Sequence, residues 1–174
     1  MYTPLIHSLR MKALPLKHAP TLFLKAVIVF LGALVGLLCV FLFPMLWREL
    51  AHEPQLGSVV YPGLIGLYLT PLPFFFALVQ AFKLLQYIDT NTAFSDFSVQ
   101  ALKNIKYSAV AISMCYAAGM PLVFVFANLD DAPGAVLMGA AITCAPLIVA
   151  TFAAVLEKLI RSAIDLKSEN DLTI

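Results

Sequence analysis

Residues 22–46 read LFLKAVIVFLGALVGLLCVFLFPML, with a single charge, Lys25, near the start and Trp47-Arg48-Glu49 closing the run. The hydrocarbon core of a bilayer is about 30 Å thick and takes about 20 helical residues, so this stretch is long enough to cross it. A cleavable leader needs a shorter apolar run followed by small residues, whereas this run closes on Phe43-Pro44-Met45-Leu46-Trp47. The segment is therefore read as a retained membrane helix.

Three more runs of the same kind follow, over about 59–88, 104–127 and 133–162. The first of them holds Tyr61-Pro62-Gly63 and Thr70-Pro71-Leu72-Pro73, the next Gly119-Met120-Pro121, and the last Pro146. With Pro44, every span carries a proline, so kinked helices are expected. Backbone carbonyls freed by proline need partners in lipid, and Thr70, Ser113 and Thr143 are the nearest hydroxyls. The whole chain agrees: 61% of its 174 residues are hydrophobic and 12% charged, with a mean hydropathy of +0.92. Soluble chains hold about 45–50% apolar residues. The predicted fold class is an all-α integral membrane protein, a four-transmembrane-helix bundle with kinked helices.

Ten of the 11 Lys and Arg residues fall on one side of these spans: Arg10, Lys12, Lys17, Lys25, Lys83, Lys103, Lys106, Lys158, Arg161 and Lys167. Arg48 stands alone on the other side, beside Glu49, Glu53, Asp130 and Asp131. The excess of basic residues marks the cytoplasmic side, so both termini are expected there. Residues 1–21 then form a cytoplasmic extension, 22–164 the four-helix membrane domain, and 165–174 a polar tail expected to be mobile. Met11 is an alternative start. A net charge of +1 gives no basic field for direct nucleic-acid binding.

The inner loop reads as a turn over Ile88 to Phe94, with Ser95 as helix N-cap, Asp96 in the first turn, and an amphipathic helix leading into the third span. Three segments together resemble a known pattern: Ile88-Asp89-x-Asn91-x-Ala93-Phe94-Ser95, then Ser98-Val99-x-Ala101-Leu102-Lys103-Asn104-Ile105-Lys106-Tyr107, then Ala163-Ile164-Asp165-Leu166-Lys167-Ser168-Glu169-Asn170-Asp171-Leu172-Thr173. With Tyr61-Pro62-x-Leu64-Ile65-Gly66-Leu67-Tyr68-Leu69, they resemble the bacterial membrane family catalogued as domain of unknown function 2975. The resemblance implies a four-span protein of the bacterial inner membrane, with no catalytic residues to carry over. It also implies a partner, a small cytoplasmic helix-turn-helix DNA-binding regulator.

Candidate sites follow from residue type and depth. The inner loop and tail, with Asp89, Asp96, Lys103, Lys106, Arg161, Lys167 and Glu169, form a mixed-charge surface that suits a protein partner better than anionic lipid alone. A groove opened by the prolines, lined by Tyr68, Thr70, Tyr116 and Thr143, is the candidate for a small molecule or lipid, whether bound or transported. Gln80, Lys83 and Tyr87 share a helix face that can meet a lipid headgroup. Lys25, Lys83 and Glu157 lie close enough to the inner boundary to reach water, so no charge is expected near the midplane. Glu49, His52 and Glu53 have a spacing that permits a metal ion but lack a second ligand cluster. Asp130-Asp131 is read as a cap on the fourth span, with Pro133 in its first turn. Gly32-x-x-x-Gly36 offers a close contact with another span, the favoured reading, or with a second copy in a homo-oligomer. Cys39, Cys115 and Cys144 form no redox or metal motif and are read as buried apolar residues. No nucleophile set or phosphate loop is present, so neither enzymatic activity nor a cofactor is expected.

Overall fold

Lipid offers no hydrogen bonds to a bare backbone, and these apolar runs meet that condition by turning helical almost from end to end. The computed structural model describes residues 3–50, 57–129 and 131–172, and among them there is no strand. The helices are α1 (Thr3–Leu50), α2 (Gly57–Leu69), α3 (Pro71–Asp89), α4 (Asp96–Leu129) and α5 (Gly134–Leu172). Four stretches are long and apolar enough to cross a membrane: Thr21–Met45, Tyr61–Asp89, Asp96–Leu129 and Gly134–Asn170. The second is α2 and α3 together, broken at Thr70.

α4 lies in the middle of the bundle. It packs on α5 along nearly its whole length and touches α2 and α3 on the other side, while α1 lies outside against α3 and, lightly, α2. The four spans thus form an open row, with α1 and α5 at its two ends. Small residues make the central contact: Ala101, Ser108, Ala109 and Ser113 of α4 are buried, as are Ala150 and Ala153 of α5. Small side chains let two backbones approach closely where no hydrophobic effect drives association. Ser113 Oγ donates to the carbonyl of Thr143 at 2.7 Å and ties the two helices midway. Glycine serves the same end between α2 and α4, where a Cβ on Gly63 would lie 2.8 Å from Leu122 Cδ2. Gly32 and Gly36 face Leu78 and Phe75 of α3, so that small-residue face makes a contact within the chain.

The hydroxyls expected to rescue the proline-freed carbonyls do not do so. Pro71 and Pro146 remove the donors that Leu67 and Ile142 would accept from. Thr70 Oγ1 instead donates to Gly66 O at 2.8 Å, Thr143 Oγ1 to Gly139 O at 2.8 Å, and Ser113 Oγ to Thr143 O. A threonine in a helix reaches back along its own i−4 row, and that row is not the one a proline three residues later or one residue later has opened.

Both sharp turns rest on a residue with positive φ, Asn91 (58°) and Asp131 (51°). At the first, Thr92 N–H donates to Tyr87 O at 2.9 Å and Asn91 N–H to Ile88 O at 3.2 Å. This is the paired pattern that closes a helix through a left-handed residue. At the second, Ala132 N–H donates to Ala127 O at 2.9 Å. Asp131 therefore terminates α4 rather than capping α5, because Asn and Asp are the side chains that tolerate a left-handed backbone best after glycine. Asp130 lies outside the described residues.

Two further helix ends add detail to the expectations. Ser95 occupies the N-cap position of α4, and its carbonyl accepts from Ser98 and Val99, but its hydroxyl is buried without a hydrogen-bond partner. α5 continues through Leu172, so the polar tail up to that residue extends the helix of the fourth span. Its charges, spaced among Leu166, Ser168 and Asn170, do not break the helix that the fourth span starts.

Candidate functional site

The N-terminal part of α1, the α3–α4 turn and the C-terminal part of α5 all lie at one end of the bundle, here termed the charged end. Two ion pairs join helices there. Lys25 of α1 pairs with Asp89 at the end of α3, and its ammonium also lies 5.7 Å from the centre of the Phe82 ring. Lys106 of α4 pairs with Glu157 of α5 at 2.6 Å, with the two side chains 26% and 15% exposed. Charge pairs at a helix–helix contact fix register because sliding either helix by one turn separates them.

These pairs correct the reading that Lys25 and Glu157 simply reach out to water. They also place Asp89 and Lys106, two residues of the candidate partner surface, in contacts within the chain. Lys83 alone of the three is exposed, while Gln80 is buried and Tyr87 stacks 6.1 Å from Phe97. Residues three apart on a helix differ by about 60° in direction, and here that difference straddles the edge of the packed face. Gln80 and Lys83 therefore do not meet in one headgroup site.

Lys106 and Glu157 also measure how far the chain extends beyond the membrane. About 23 residues separate Lys106 from Leu129, and about 23 separate Gly134 from Glu157, which is ~35 Å of helix on each side. What remains, ~15 Å of α4 before Lys106 and ~22 Å of α5 after Glu157, projects past the hydrocarbon. Asp96 and Lys103 lie on the first projection; Arg161, Lys167 and Glu169 lie on the second. Phe94 and Phe97 are 65% and 71% exposed, and Leu166 is 67% exposed.

The other candidate region is within the spans. Tyr68 packs against Phe43 of α1 with ring centres 4.4 Å apart. Behind it is a cavity of about 300 Å³, lined by α1 residues from Val35 to Phe43 and by Leu67, Thr70, Pro71, Phe74 and Tyr116. A second cavity of about 260 Å³ lies between α2, α4 and α5, and Leu67 and Tyr116 line it too, with Thr143 and Gly119 among the rest. The helix break at Thr70 and Gly119, where a Cβ would meet nothing within 4 Å, leave this room. Tyr68, Thr70, Tyr116 and Thr143 are thus near one another but do not face one groove: Thr70 lines one cavity, Thr143 the other, and Tyr116 both.

Glu49, His52 and Glu53 lie outside the residues whose side chains are described, and among the described residues no group of three His, Cys, Asp or Glu side chains could hold a metal ion. Of the cysteines, Cys39 and Cys115 are half-buried and Cys144 is exposed on the outside of α5, where hydrocarbon rather than protein surrounds it. The two ion pairs were not foreseen from sequence, and neither was the position of Tyr116 on both cavities. Opposite charges at the ends of successive spans that share one side are a usable signal for the pairs.

The fold and its surfaces define a polytopic membrane protein of four helical spans. The chain belongs to the family described as Protein of unknown function (DUF2975), whose sequence model matches residues 45–174. It is 53% identical over 155 residues to the "Uncharacterized membrane protein YoaS" of Bacillus subtilis (strain 168), an alignment that covers 88% of this chain and 97% of that protein. No solved structure matches.

Proposed function

We propose that this protein is a non-enzymatic regulatory component of a bacterial cytoplasmic membrane, with both termini in the cytoplasm, that holds a helix-turn-helix type DNA-binding regulator at its charged end. The observation that carries this reading is the projection of paired α4 and α5 past the hydrocarbon, with Asp96, Lys103, Arg161, Lys167 and Glu169 along it. Mixed charge on a pair of helices supports recognition of one protein partner, whereas adhesion to anionic lipid needs mainly Lys and Arg. To test it, the tagged full-length protein is recovered from its own host, beside variants lacking 167–174 or carrying Asp96→Lys with Lys103→Glu. A regulator that co-purifies with the parent and is lost from either variant at unchanged membrane level supports the reading. Its retention by both would overturn it.

A second reading is favoured by the two cavities that meet at Tyr116: a binder of small apolar molecules or lipid within the bilayer. The lack of charged side chains around them speaks against coupling to an ion gradient.

A further inference from the structure

The chemistry of the two cavities narrows what they take. Apart from hydroxyls, thiols and the Met120 thioether, the side chains that line them are hydrocarbon and aromatic, with no charged residue in either. The Thr70 and Thr143 hydroxyls are spent on the carbonyls of Gly66 and Gly139, at 2.8 Å each, so both threonines offer mainly methyl groups to the space. The thiols of Cys39 and Cys115 are weak donors. Tyr116 is different: it lines both cavities, and no described residue gives its hydroxyl a hydrogen bond. The phenol O–H of this half-buried tyrosine is a strong donor able to take one acceptor.

Depth adds a second restriction. Tyr116 lies about ten residues from Lys106, ~15 Å of helix, and about 13 from Leu129, ~20 Å. It is therefore close to the bilayer midplane, where a phospholipid presents only the ends of its acyl chains. A molecule that can bring an acceptor to this depth must be uncharged and wholly soluble in hydrocarbon. The aromatic side chains Phe43 and Phe74, which line the first cavity with Tyr116, favour a flat ring over a saturated chain.

We infer that the paired cavities form a site for an uncharged, ring-bearing lipid with a carbonyl acceptor, of the class of prenylated quinones, held by a hydrogen bond from the Tyr116 hydroxyl. This inference rests on the reading of the protein as a binder of apolar molecules. The ring lies against the aromatic lining of the first cavity and the hydrocarbon tail extends past Leu67 into the second cavity. Gly119 lines that cavity, and a Cβ added to it meets nothing within 4 Å, so the side chain of Gly119→Leu starts in open space and is the variant chosen to occupy it.

The test is binding of decylubiquinone, and of squalene as a hydrocarbon without an acceptor, to the intact protein in detergent micelles. Parent, Tyr116→Phe and Gly119→Leu proteins are compared by native mass spectrometry and calorimetry, with helicity and thermal unfolding as controls of folding. The expected result is that decylubiquinone binds the parent, squalene binds at least tenfold more weakly, Tyr116→Phe weakens the quinone about tenfold, and Gly119→Leu abolishes it. Equal binding of both probes, unaffected by Tyr116→Phe but lost in Gly119→Leu, would sink the quinone assignment and leave a general apolar site. Absence of binding by either probe, or binding indifferent to Gly119→Leu, would remove the binder reading itself.

Discussion

Individual residues set how closely the spans approach. A Cβ on Gly63 would lie 2.8 Å from Leu122, whereas one on Gly119 would meet open space. Gly63→Leu should therefore destabilise the protein by about 1–3 kcal/mol through overpacking, while Gly119→Ala should be neutral or stabilise by up to about 1 kcal/mol. Reversible unfolding in mixed micelles measures both, and equal effects would show that α2 and α4 are not in close contact. At the charged end, Lys106→Met leaves the Glu157 carboxylate, 15% exposed, without its cation. The single variant should then cost more stability than Lys106→Met combined with Glu157→Leu, with a coupling of about 1 kcal/mol for so partly exposed a pair. A double-mutant cycle giving no coupling would make the pair incidental.

At the scale of elements, the helix ends show best what sequence discloses. The four spans were legible because unbroken hydrophobicity has one meaning in a chain of this composition. The continuous α4, from the loop helix into the membrane, was legible from Phe97, Ala101, Leu102 and Ile105 at helical spacing. The termination signals were not, because Asn91 and Asp131 act through backbone conformation, and a serine or aspartate near a turn serves equally as cap or stop. Asn91 has φ 58°, so Asn91→Gly should preserve stability while Asn91→Val should lower it by about 1–2 kcal/mol. Thermal unfolding of the two variants decides this, and equal loss in both would point to the Asn91 side chain instead. Tyr116 was named as a groove residue, but its place between two cavities could not be read, since it depends on the break at Thr70 bringing α1 and α2 around it.

For the whole molecule, the topology predicts where reporters will be found. Fusions after Ile174 and within 91–95 should report one compartment, the cytoplasm, and a fusion near His52 the opposite one. A tail and loop on different sides would contradict the pairing of α4 with α5 through Lys106 and Glu157, and a reversed pattern would overturn the orientation taken from the basic residues.

Among the described residues, α1 packs only on α3 and α2, holding to them through Gly32, Gly36 and the Lys25–Asp89 pair, and none of the residues in its most apolar window is buried. This has a meaning for how the protein is made. α1 is made before its neighbours α2 and α3, and it meets neither until synthesis has passed Tyr68, about 20 residues beyond the end of its span, nor pairs Lys25 until Asp89 follows. Until then it must wait in lipid or in the insertion machinery as a lone hydrophobic helix. The central α4–α5 hairpin, by contrast, is consecutive in sequence and can assemble as soon as its own chain is complete. Biogenesis therefore finishes at the two ends of the row independently, and a chain lacking α1 would still possess everything needed to build the other end.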